Sequence, residues 1–91
     1  MDNNEKRMLM DKVLRELEDA KNTETSVVKK LAQLESENVN LGDRCLEKKL
    51  PGIFSLVDDA LSATIDLQVE YTRVRDRFVK ENNLDEVTAG H

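Results

Sequence analysis

From Met10 to Cys45, side chains of one kind return every three and four residues without a slip in phase. One series runs Met10, Leu17, Glu24, Leu31, Asn38 and Cys45, and a second runs Val13, Ala20, Val27, Leu34 and Leu41, each member three residues after its partner. A repeat held for about five heptads averages 3.5 residues per turn, the period of an α-helix that meets other helices along one stripe. Leu14 and Val28 widen the stripe on one side and Leu9 on the other. That width exceeds what a two-stranded seam needs and leaves room for a bundle of three or four helices. No β-type alternation persists. Composition agrees, because 38% hydrophobic and 36% charged residues with only 3% aromatics describe solvated helices rather than a sandwich core.

Helix boundaries follow from capping chemistry. Asp2 or Asn3 can accept from free N–H groups, and Asp2 followed by Glu5 has the offset of a capping box, which predicts a first helix over residues 4–49. Two places strain that helix. Asn22-Thr23-Glu24-Thr25-Ser26 strings together poor helix formers, and Gly42 suits a left-handed stop, with Asp43 able to cap a further turn. The phase runs through both, so one continuous helix is the expectation. Leu50-Pro51-Gly52 is read as the break, since proline disfavours a helical Leu50 and glycine frees the chain to turn. Ser55 and Asp58 then have capping-box spacing, and Val57, Ala60, Leu61, Thr64, Leu67, Tyr71, Val74 and Phe78 predict a second helix over 54–81. Asp58, Asp59 and Asp66 come early in it and Arg73, Arg75, Arg77 and Lys80 late, as the helix dipole favours. Residues 82–91 are expected to be loose.

The expected fold is therefore all-α, a single domain in which a long heptad-bearing helix, a Pro-Gly break and a shorter helix form an oligomeric coiled coil or helical bundle. At 1.5 Å per residue the helices measure roughly 69 and 42 Å, so neither covers the other. Folding back at Pro51 leaves Met8, Leu9, Met10, Val13, Leu14 and Leu17 bare, and an apolar patch of that extent predicts a partner chain. The same fold-back sets Asp59 beside Arg44, Asp66 beside Glu37 and Arg73 beside Lys30, a mixed pattern of weak pairs. The partner expected is the chain itself, as a homo-oligomer with a dimer favoured, or another helical protein. The oligomer interface is assigned to Met10, Val13, Leu17, Val27, Leu31, Leu34, Asn38, Leu41 and Cys45. Asn38 is either a polar pin that fixes register across the axis or a wet position near Gly42. Cys45 is expected to pack as a small hydrophobe.

Leu31-Ala-Gln-Leu34-Glu-Ser-Glu-Asn38-Val-Asn-Leu41 resembles the zipper half of basic-leucine-zipper transcription factors. Those proteins carry a dense Lys/Arg block before the zipper. Here the preceding residues, Leu17 to Val28, hold only Lys21, so the DNA-reading residues have no counterpart.

A net charge of −5 opposes bulk attraction to nucleic acid or anionic lipid. One cysteine and one histidine, His91, give no closed metal site, and three glycines form no phosphate loop. No catalytic residue, cofactor or metal is expected, and the chain reads as a non-catalytic assembly, scaffold or adaptor protein. The lone cysteine and the absence of an opening signal-peptide pattern predict a cytoplasmic or nuclear setting, and no apolar run approaches a membrane span. Met8, Leu9 and Leu14 on helix 1, and Tyr71, Arg73, Arg77 and Lys80 on helix 2, are candidate partner-binding residues. The alternative reading is a monomeric acidic three-helix module or inhibitor, with helices over 4–21, 26–49 and 55–81. A nucleic-acid factor is a third, resting on the Arg73 to Lys80 patch.

Overall fold

Asp2 holds an extended backbone and its side chain accepts the Glu5 N–H at 2.8 Å, the predicted cap. From it α1 runs over Asn3–Leu41. The computed structural model describes residues 1–84, and in them α1 is followed by α2 over Arg44–Glu81.

The Asn22–Ser26 stretch stays helical. Thr23, Thr25 and Ser26 donate their hydroxyls to the carbonyls of Asp19, Lys21 and Asn22 at 3.0, 2.8 and 3.1 Å. These bonds to the preceding turn occupy the groups that otherwise compete with the helix. The three-helix division is thereby overturned.

The chain turns at Gly42, earlier than predicted. Gly42 takes a left-handed φ of 65° and gives its N–H to the Asn38 carbonyl at 2.7 Å, the αL stop that glycine adopts without a Cβ penalty. Asp43 accepts the Leu46 N–H at 3.0 Å and opens α2. The Asn38 side chain ties the two ends together, accepting the Asp43 N–H at 2.8 Å and donating to the Asp43 carbonyl at 3.1 Å. The predicted helix over 4–49, the Pro-Gly break and the shorter second helix over 54–81 are corrected accordingly. Pro51 lies inside α2, Ser55 is an exposed mid-helix residue, and the helices are 39 and 38 residues long. A proline in a helix interior costs about 3 kcal/mol. A turn at Gly42 lets the helices cover one another from end to end, and burying Met10, Leu14 and Leu17 returns about 1.5–3 kcal/mol for each side chain fully covered. Coverage outweighs the proline.

The helices are antiparallel. Asn3 donates to Asn82 at 3.0 Å at one end, and Glu18 meets Gln68 further along. Pairings centred on Pro51, such as Asp59 with Arg44, are replaced by this register. The hairpin measures 61 × 20 × 19 Å with a radius of gyration of 19.7 Å, where a compact chain of this length has about 12 Å. Its core is one thin seam in which Met10, Leu31, Leu50, Val79 and Leu84 are buried and Leu14, Leu17, Val28, Phe54, Val57, Leu61 and Phe78 half-buried. Asn82 gives its N–H and its side-chain N–H to the Phe78 carbonyl at 3.1 and 2.8 Å, which carries the chain through Asn83 to the buried Leu84. The loose tail predicted from residue 82 is thus corrected for 82–84. The rest of it, with His91, lies outside the described residues.

Candidate helix-docking face

The seam uses only half of the predicted heptad stripe. On α1 it is built from Met10, Leu17, Glu24, Leu31 and Asn38 with the line Leu14, Lys21, Val28 and Glu35 beside it, all buried or half-buried. The second series turns to one flank, where Val13 is half-buried and Ala20, Val27, Leu34 and Leu41 are exposed. On α2 the buried and half-buried residues are Leu46, Leu50, Phe54, Val57, Leu61, Thr64, Gln68, Tyr71, Arg75, Phe78 and Val79.

The two flanks of the hairpin differ in chemistry. On one, Arg75 Nε donates to Asp11 Oδ1 at 2.7 Å and its Nη2 to Asp11 Oδ2 at 3.4 Å, the two-point geometry that favours arginine with a carboxylate. That bond, foremost, and Asp76 behind it raise the Arg75 pKa above its ordinary value. Further along the same flank Gln68 donates to Glu18, which also pairs with Lys21 at 2.9 Å. The amide bond first and the Lys21 ammonium second hold the Glu18 carboxyl below its usual range.

Successive helical residues differ by about 100°, so Val13 points about 160° away from Asp11, and Ala20 likewise from Glu18. On α2 the step from Gln68 to Leu67, or from Arg75 to Val74, crosses the seam in the same sense. The flank opposite the polar bridges therefore carries Val13, Ala20, Val27 and Leu34 from α1 beside Val74, Leu67, Ala60 and Ile53 from α2. Val27, Leu34, Ile53, Leu67 and Val74 are 41, 36, 45, 49 and 44% exposed, partly shielded by the neighbouring helix and open on the outer side. Leu41, 69% exposed, extends the α1 row toward the turn, and Leu56, 71% exposed, lies between the levels of Ile53 and Ala60.

The residues singled out from sequence are dispersed by this arrangement. Met10, Leu17, Leu31 and Asn38 face α2 of their own chain, whereas Val13, Val27, Leu34 and Leu41 lie on the open flank. Asn38 is a turn clamp, since both ends of its amide are bound to Asp43, a correction to the register pin and to the frayed wet position alike. Cys45 sits exposed in the first turn of α2, because the heptad ends with α1 at Leu41; its predicted core packing is corrected. Met8 and Leu9 are exposed and Leu14 is half-buried in the seam. Tyr71 is half-buried in the seam while Arg73, Arg77 and Lys80 are exposed, so the tyrosine is separated from the basic residues. Lys6 Nζ stands 4.9 Å from the centre of the Phe78 ring, a cation–π contact that closes the open end of the hairpin.

Ile53, Ala60, Leu67 and Val74 recur every seven residues, and that spacing was the available signal for a second stripe on α2. Reading Ala60, Leu67 and Val74 together with Val57, Leu61 and Tyr71 as one face concealed it. Among the described residues no group of three or more His, Cys, Asp or Glu is placed to hold a metal ion, and no helix is long and apolar enough to cross a membrane. Comparison with known protein families, with curated proteins and with solved structures finds no match to the chain.

Proposed function

We propose that the protein is a non-catalytic assembly or adaptor module that works by packing helices of a partner against the apolar flank of its hairpin. The observation that supports this reading is the pair of parallel apolar rows, Val13 to Leu34 on α1 and Ile53 to Val74 on α2, left open by the chain's own fold. Contiguous apolar surface of that length costs solvation free energy in an isolated molecule and marks an association surface. The net charge of −5, with both signs spread along the helices, keeps such a surface soluble and disfavours nucleic acid as the partner.

The test is photocrosslinking of the full chain in its own cell, with a benzophenone amino acid at Leu67 on the apolar flank and, separately, at Thr72 on the other. Adducts to protein from position 67 and none from position 72 are expected, whether the captured chain is a second copy or a different protein. Equal adducts from both positions, or none from either, would overturn the reading.

A further inference from the structure

We propose, resting on that reading, that the occupant of the apolar flank is a second copy of this chain, and that two hairpins stack face to face as a four-helix bundle.

Self-complementarity carries the argument. The register set by Asp11 with Arg75 and Glu18 with Gln68 puts the flank residues in levels: Val13 with Val74, Ala20 with Leu67, Val27 with Ala60, and Leu34 with Ile53. Each alanine lies beside a larger residue on the other helix, so the face has a hollow at Ala20 and a second, diagonally placed, at Ala60. A twofold axis along the hairpin brings Leu67 of the copy over Ala20 and its Val27 over Ala60. An axis across the hairpin brings Val27 over Ala20 and Leu67 over Ala60. Either twofold fills both hollows with a side chain this sequence already presents, and large-on-small layering of that kind is how helical bundles reach native packing. The isologous contact also closes, because the one face is used up.

Area agrees. From Val13 to Leu34 the face runs about 32 Å along helices of 1.5 Å rise and about 20 Å across two adjacent helices, or about 640 Å², within the about 600–1,000 Å² that each partner contributes to a standard interface. Within the seam, layers at Lys21, Glu24, Thr64 and Gln68 interrupt the apolar stripe, so the second apolar layer supplies continuity that the first lacks.

The test is the solution mass of the full chain by light scattering and sedimentation from micromolar to near-millimolar, together with its thermal midpoint. A mass of two chains, with a midpoint that rises with protein concentration, is expected. Leu67→Lys should shift the protein to one chain or raise its dissociation constant at least a hundredfold, while Thr72→Lys on the other flank leaves two chains. If the lysine variant unfolds, the concentration dependence of the parent protein decides. A one-chain mass throughout with a concentration-independent midpoint would overturn the second-copy occupant and leave the crosslinking test above to judge the wider reading. A mass above two chains, or two chains retained in Leu67→Lys, would overturn this face as the contact.

Discussion

Asp11 and Arg75 lie 64 residues apart in the chain and meet through two hydrogen bonds, the shorter of 2.7 Å. Because one residue belongs to each helix, the pair fixes how far α1 and α2 have slid past one another. Both side chains remain about one-third exposed, at 33 and 27%, which keeps the contact modest. Removing either, as Asp11→Ala or Arg75→Ala, should lower stability by about 0.5–1 kcal/mol, and a double-mutant cycle in urea should return most of that as coupling. Additive losses would show that the two groups do not interact in solution.

The two described glycines should respond to alanine in opposite directions. Gly42 stands at φ 65° and Gly52 is inside α2, and a Cβ at either meets nothing within 4 Å. Backbone strain alone decides the first, so Gly42→Ala should cost about 1 kcal/mol, and helix propensity alone decides the second, so Gly52→Ala should gain about 0.5–1 kcal/mol. Asn38→Ala, which strips the clamp from the turn, should cost about 1 kcal/mol more. Urea midpoints at one fixed protein concentration measure all three. A loss on Gly52→Ala would place the turn at Pro51 after all.

Glu24 is a half-buried carboxylate in the middle of the seam, and its Oε1 is shielded from solvent without a hydrogen-bond partner. An ionisable oxygen held that way costs free energy, and a leucine of similar reach would fill the layer. Glu24→Leu should raise stability by about 1–2 kcal/mol. Unchanged thermal and urea midpoints would mean that the side chain swings into water.

Glu18 gives the hairpin an acid-sensitive contact. Its pKa is lowered from the ordinary 4.5, chiefly by the Gln68 amide and then by Lys21. A group depressed on folding contributes stability that is complete above its unfolded pKa and is lost as pH falls through its folded pKa. Stability should therefore decline on acidification below about pH 4.5, and Glu18→Gln should flatten that limb without changing the neutral-pH slope. An acid limb of the same steepness in the variant would assign it to other carboxylates.

The helical class and much of the seam were legible in the sequence because they depend on local rules. The cap at Asp2 follows from its offset to Glu5, and the inward positions Met10, Leu17 and Leu31 follow from the heptad. The turn was misplaced because Pro51 is a strong local signal, whereas the advantage of Gly42 is global. Only when both helices are laid side by side does a turn at 42–43 cover them completely. The sequence alone leaves Asn38 as either a pin across an axis or a wet position, since its bonds to Asp43 exist only once the chain has turned. The open flank was half visible for a related reason. The heptad places Val13, Val27 and Leu34 on one stripe with Met10 and Leu31, and only the packing of α2 covers one half of that stripe and leaves the other.

The apolar flank depends on hairpin closure at Gly42, which brings Ile53, Leu67 and Val74 beside Leu34, Ala20 and Val13. The most direct test is the distance between spin labels at Glu5→Cys and Glu81→Cys in a Cys45→Ser background, diluted in unlabelled chain so that only intrachain pairs are read. The structure predicts a narrow distribution below about 20 Å, with the two helix ends side by side. A turn at Pro51 would set residue 81 beside α1 some 17 residues further along, about 25 Å from residue 5 at 1.5 Å per residue, and a distribution centred at or beyond that distance would contradict the fold described here.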